Sequence, residues 1–193
     1  MNQLEEAVLL ATLDEGGNTT IQKFSTIHIA AACGVSEFLI YEHFTSKEHL
    51  LDEADRYVAH HFRDELLRLS REQLSFPELF SKLLDYQLKH PSWNGFSLSY
   101  GHFFPHYGAK KAEEKRFQEH ILESATFFLK SYDIVLEPSP TFEVYCFLLR
   151  ELFSFAQLLI SKEIPDTPKI RQNQANLILS GMQAFWKISA KAA

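Results

Sequence analysis

An all-helical protein in two parts, a small head and a larger bundle, is what the sequence predicts, and three observations predict it. Apolar residues recur along most of the chain at steps of three and four, the period of a helix with one buried face. Glycine and proline are scarce, 7 each in 193 residues, while 46% of the residues are hydrophobic, so the chain is expected to be compact and helical rather than disordered. Its length holds one or two domains. Between residues 24 and 51 two short helical patterns meet at a glycine, whereas the later patterns are long.

In chain order, the first helix takes its apolar stripe from Leu4, Ala7, Val8, Leu10 and Ala11 and is expected to stop at Gly16-Gly17. A connection holding Lys23 follows. Ser25 and Thr26 can each accept a bond from an unpaired first-turn amide of a second helix, whose inward face is expected from Ile27, Ala30, Ala31 and Ala32. Cys33-Gly34-Val35-Ser36 interrupts it; Gly34 can take the left-handed conformation of a tight helix exit, and Ser36 can cap the next helix. That third helix carries Leu39, Ile40 and Phe44 inward and Glu37, Phe38, Tyr41 and Glu42 towards its outer side or ends. Two helices joined in this way form a helix-turn-helix, whose second helix enters the major groove of DNA.

The fourth helix begins at Thr45 or Ser46 and continues through Leu50, Leu51, Ala54, Tyr57, Val58, Phe62, Leu66 and Leu69 to about Ser70. Ser75-Phe76-Pro77-Glu78 opens the fifth with a cap, an early proline and a carboxylate, and His90-Pro91 ends it because the residue before proline leaves helical geometry. Residues 93–107 are an aromatic patch broken by Gly95, Gly101 and Pro105, and 109–132 read as an amphipathic helix. Residues 141–162 are hydrophobic nearly all round, which suits a helix buried against its own core on one side and a second subunit on the other. Thr167-Pro168 caps the last helix, which runs to about Ser189.

The string Ile29-Ala30, Gly34-Val35-Ser36, Tyr41-x-His43-Phe44 and Ser46-Lys47-Glu48-x-Leu50 resembles the DNA-binding segment of TetR-family transcriptional regulators. The resemblance implies a DNA-binding domain at 1–50, a connecting helix at about 46–70, and a ligand-binding and dimerisation domain at 51–193. It implies a homodimer formed through the last two helices, a double-stranded DNA operator, and a repressor released by a small apolar or aromatic effector. The implied DNA-facing residues are Ser25, Thr26, Ser36, Glu37, Phe38, Leu39, Tyr41, His43 and Lys47. No cofactor is implied.

Charge complicates that reading. Residues 1–50 hold two lysines, Lys23 and Lys47, against seven carboxylates, a net charge of −5 with histidines neutral. Phosphate neutralisation dominates DNA affinity, so nonspecific binding is expected to be weak. Glu37 or Glu42 can still accept from cytosine N4, and Phe38 can touch a thymine methyl. The alternative reading is a helical ligand- or partner-binding module whose head has lost its DNA.

The aromatic patch has two readings of its own. Trp93, Phe96, Tyr100, Phe103, Phe104 and Tyr107, with Phe127, Tyr132 and Tyr145 from later helices, line an effector chamber, or they fill a helical core. Enzymatic function has little support: no phosphate-binding glycine loop, paired-cysteine motif or nucleophile elbow occurs. His102-x-x-x-His106 has metal-ligand spacing, but Pro105 interrupts it and no acidic or thiol partner is close. Cys33 and Cys146 show no pairing logic, no apolar run reaches the length of a membrane span, and the opening residues carry no signal peptide, so a cytoplasmic location is expected.

Overall fold

The computed structural model describes residues 2–19, 23–103, 126 and 138–186. Among them eight helices are bounded: α1 Gln3–Asn18, α2 Thr26–Cys33, α3 Glu37–His43, α4 Lys47–Ser70, α5 Phe76–Lys89, α6 Pro91–Phe103, α7 Pro138–Ile160 and α8 Pro168–Trp186. No strand occurs among the described residues. The all-helical expectation holds.

The chain folds as two compact units, Met1–His61 with His90–Pro105, and Phe62–Lys89 with His106–Ala193. The boundary expected at residue 50 differs from this division, because the first half of α4 and the whole of α6 belong with the head. Helix α6 joins it through glycines. A Cβ on Gly17 would overlap the Ser92 carbonyl oxygen and lie 2.7 Å from Ser92 Cα; one on Gly95 would lie 2.7 Å from the Gly17 oxygen. Such backbone-to-backbone approach explains why α1 does not stop at Gly16-Gly17 but runs on to Asn18, and why Gly95 and Gly101 do not break α6. A tertiary contact outweighs the poor helix propensity of glycine here.

In this head unit Val8, Leu9 and Leu13 of α1, Ile29 and Ala30 of α2, Ile40 and Phe44, Leu50, Leu51 and Ala54 of α4, and Phe96 and Tyr100 of α6 make one core. Leu9 and Leu13 therefore replace Ala7 and Leu10 on the buried side of α1. On α2 the expected face is rotated: Ile29 and Ala30 are buried, while Ile27, Ala31 and Ala32 are exposed. Tyr57 is buried and donates to Glu6 Oε1 at 3.2 Å, and Tyr100, also buried, donates to Asp52 across α4 and α6. His60 and His61 are exposed, with His61 lying 4.3 Å from Tyr57 and 5.6 Å from Trp93, ring centre to ring centre. Trp93 also stacks on His90 at 4.4 Å.

The second unit is built by α5 packing on α7 and α8, over a core that includes Phe62, Leu66, Leu79, Leu84, Val144, Leu152, Ala156, Ala175, Ile178 and Met182. Helices α5 and α8 begin as expected, whereas α7 begins at Pro138, three residues before the expected start. The Ser75 amide and hydroxyl both donate to Glu78 Oε2, at 2.8 and 2.7 Å, and Thr167 Oγ1 accepts from the Ile170 amide at 3.3 Å. Arg171 of α8 donates to Asp166 at 2.6 Å and, on α5, to Ser81 Oγ at 3.1 Å and Asp85 at 2.6 Å. Of the expected helix at 109–132 only Thr126 is among the described residues, and it is helical.

Candidate nucleic-acid interface

The reading module is organised by caps that the local sequence dictates. Gly34, at φ +67°, ends α2, and its amide reaches the Ala31 carbonyl at 3.2 Å. Two residues later Ser36 Oγ accepts from the Leu39 amide at 3.2 Å and starts α3. At the other end of the module Ser46, not Thr45, caps α4, accepting from the His49 amide at 3.1 Å. That choice leaves Thr45 with His49, whose Nδ1 lies 3.1 Å from the Thr45 amide.

Of the nine residues expected to face DNA, several first hold the module together. Thr26 is buried and donates its hydroxyl to Glu37 of α3, with Tyr41 Oη 3.2 Å away. Those bonds cross from the start of α2 to α3 and set how the reading helix lies on its support. Thr26 is thus a positioning group, while Ser25 occupies the N-cap of α2 without a side-chain cap bond. His43 Nδ1 lies 3.1 Å from Glu5 Oε1, tying the end of α3 to α1. The Asn2 amide holds the Glu5 carboxyl below its usual range, and the His43 imidazole adds to the effect. Lys47 donates to the Phe24 carbonyl at 2.8 Å with its ammonium 5.1 Å from the centre of the Phe24 ring, which leaves two of its three donor hydrogens for an anion.

The remaining members divide by exposure. Leu39 is half-buried and Ile40 buried, so the inner face of α3 is as expected. Phe38 is 72% exposed, Tyr41 is 39% exposed, and Ile27 on α2 is 63% exposed. Glu42 is exposed as well.

Four of the nine expected effector residues have described side chains: Trp93, Phe96, Tyr100 and Tyr145. Phe96 and Tyr100 stack with centroids 5.5 Å apart inside the head core, with Trp93 packed against that core. Tyr145 is buried in the other unit, where burial pushes its phenol well above the ordinary tyrosine value. It borders a cavity of about 30 Å³ lined by Phe62, Leu66, Phe76, Phe80, Leu83 and Leu152 among others. Those cavity residues were missed from sequence because leucine and phenylalanine at helical spacing read alike in a core and in a pocket. Phe103 lies within α6, but its side chain is outside the described residues, as are Phe104, Tyr107, Phe127 and Tyr132.

Among the described residues no group of three or more His, Cys, Asp or Glu is placed to hold a metal ion, and no helix is long and apolar enough to cross a membrane. The side chain of His102, and His106 altogether, lie outside them.

Residues 21–54 match the model of bacterial regulatory proteins, tetR family. No curated protein matches the sequence. Among solved structures, a TetR family transcription regulator from Marinobacter aquaeolei VT8 is 18% identical, covers 97% of this chain and 96% of its own, and superposes with a TM-score of 0.71. A tetR-family regulator from Streptomyces coelicolor is 16% identical over 96% of this chain and 84% of its own, with a TM-score of 0.65. A TetR-like regulator from Rhodococcus sp. RHA1 is 17% identical over 92% and 96%, with a TM-score of 0.60. The chain therefore has the fold of TetR-family regulators, and its head carries their helix-turn-helix.

Proposed function

We propose that this chain, TetR-like in fold and in its reading module, is a homodimeric transcriptional repressor that binds a pseudo-palindromic operator and leaves it when a small apolar ligand binds. The observation that carries the reading is the fastened α2–α3 pair: Gly34 and Ser36 shape the turn, and the bonds from Thr26 to Glu37 and Tyr41 hold the reading helix in one pose. A rigid helix presented on a dimer can meet two half-sites about 34 Å apart. Ser25, Tyr41, His43 and Lys47 serve as backbone contacts, and α3 reads the bases.

For release, α4 is the natural lever, since residues up to His61 belong to the head and those from Phe62 to the second unit. The cavity beside Tyr145 is the seed of an effector site; at about 30 Å³ it holds about one water, so a ligand must enlarge it. Differential binding of typically 1–3 kcal/mol between two arrangements suffices for the switch.

The test is a fluorescence-anisotropy titration of the purified protein against DNA from immediately upstream of its own gene, at low and moderate salt, with Tyr41→Ala/Lys47→Ala as control. Saturable binding that the double variant loses supports the reading. The net charge of −5 over residues 1–50 favours a second one, a TetR-fold module that no longer binds DNA. Absence of binding to that fragment and to a genomic library, by a folded dimer, would establish it.

A further inference from the structure

The side chains of α3 are already divided between inside and outside work. Ile40 is buried and Leu39 half-buried, Glu37 and Tyr41 are fastened to Thr26, His43 lies against Glu5, and Ser36 caps the helix. Phe38 and Glu42 remain, both exposed and four residues apart, hence on one face of the helix. Phe38 is the most exposed large hydrophobic residue among those described, at 72%. Such a ring gains free energy when an apolar group covers it.

The chemistry that α3 offers is unusual for a reader of DNA. The commonest base contact, a cationic fork on guanine O6 and N7, needs Arg or Lys, and α3, EFLIYEH, contains neither. Its outward groups are an apolar ring and a carboxylate that can only accept. In the major groove the apolar feature is the thymine 5-methyl group, and the donors are the exocyclic amines of cytosine and adenine. Guanine shows acceptors that a carboxylate repels.

Resting on the operator-binding reading above, we infer that the chain recognises its half-site through a thymine methyl group packed on Phe38, with Glu42 accepting from the N4 or N6 amine of a neighbouring cytosine or adenine, and without a guanine fork. Because the head has few cations, this methyl contact carries an outsized share of its affinity.

The experiment begins by selecting duplexes from a random library with the full-length protein and then replaces each thymine of the enriched half-site, one at a time, by deoxyuridine, which removes only the methyl group. At one thymine per half-site the replacement weakens binding by roughly fourfold, and by on the order of tenfold when both halves carry it, the scale of one buried methyl group. Phe38→Ala binds the thymine and uracil duplexes equally, with an unchanged melting temperature because its side chain is outside the core. Glu42→Gln retains the uracil penalty and relaxes the choice at the neighbouring base. Enrichment of a site at which every uracil replacement is neutral, or at which Phe38→Ala keeps the full penalty, overturns this inference and leaves the regulator standing. If no duplex is enriched, both fail.

Discussion

The hydroxyl of Thr26 is a small group with a large share of the reading module, because it is the one that joins α2 to Glu37 and Tyr41. Thr26→Val keeps the shape and removes the donor, leaving a half-buried carboxylate without its partner. We expect about 1–2 kcal/mol less stability in urea unfolding, together with weaker operator binding. The caps around it were legible in the sequence, since Ser36 and Ser46 accept from amides, and the Gly34 amide donates to a carbonyl, three residues away. The Thr26 bonds were not, because their partners lie 11 and 15 residues away across a turn whose geometry no local pattern states. Carboxylates supply a second prediction at this scale. The Ser75 hydroxyl and amide hold Glu78 below its ordinary value of 4.5, and Arg171 holds Asp166 below 3.8. A depressed carboxylate stabilises the folded chain fully above its unfolded value, and the contribution is lost as pH falls through the folded one. The urea midpoint is therefore expected to be flat from pH 7 to about 5 and to drop below 4.5; Ser75→Ala makes that drop shallower, and an unchanged acid limb would count against the Ser75–Glu78 bond.

Among elements, the α1–α6 crossing is the contact with the least room. Gly17→Ala drives a methyl into the Ser92 backbone rather than into a movable side chain, so α1 and α6 must separate. A loss of about 1–3 kcal/mol is expected, read as a lower melting temperature, with loss of DNA binding if α6 leaves the head. The crossing also explains what sequence reasoning could not recover. Glycines at 16, 17, 95 and 101 look like punctuation in isolation, and only when α1 and α6 are laid together do Gly17 and Gly95 account for each other. By contrast the α5–α6 boundary at His90-Pro91 was legible, being a steric property of two adjacent residues. In the second unit Arg171 clips α8 to α5. Its side chain is 14% exposed but its carboxylate partners are 39% and 54% exposed, so screening discounts the pair energies. Arg171→Met is expected to cost about 1 kcal/mol, measured by urea unfolding at low salt and shrinking at high salt.

For the whole molecule the governing quantities are its charge and its partner copy. With two lysines in residues 1–50, a dimer that neutralises about four phosphates has a slope near −4 in log affinity against log salt. A slope near −8 would mean that cations from outside the head reach the DNA. Leu177 of α8 is 67% exposed, and Gly181 one turn later has nothing within 4 Å of where a Cβ would stand. If these helices face a second copy, Leu177→Lys yields a monomer in sedimentation equilibrium and abolishes operator binding without lowering the monomer's helix content. A dimer that survives the change places the interface elsewhere. Finally, His61 ends one segment of the head unit and His90 opens the next, and both of these rings lie against the indole of Trp93. The sequence holds 2 tryptophans. Subtracting the emission of a Trp93→Phe protein therefore isolates one intrinsic reporter in contact with both rings, through which the arrival of a candidate effector can be followed as a spectral change, with no label attached.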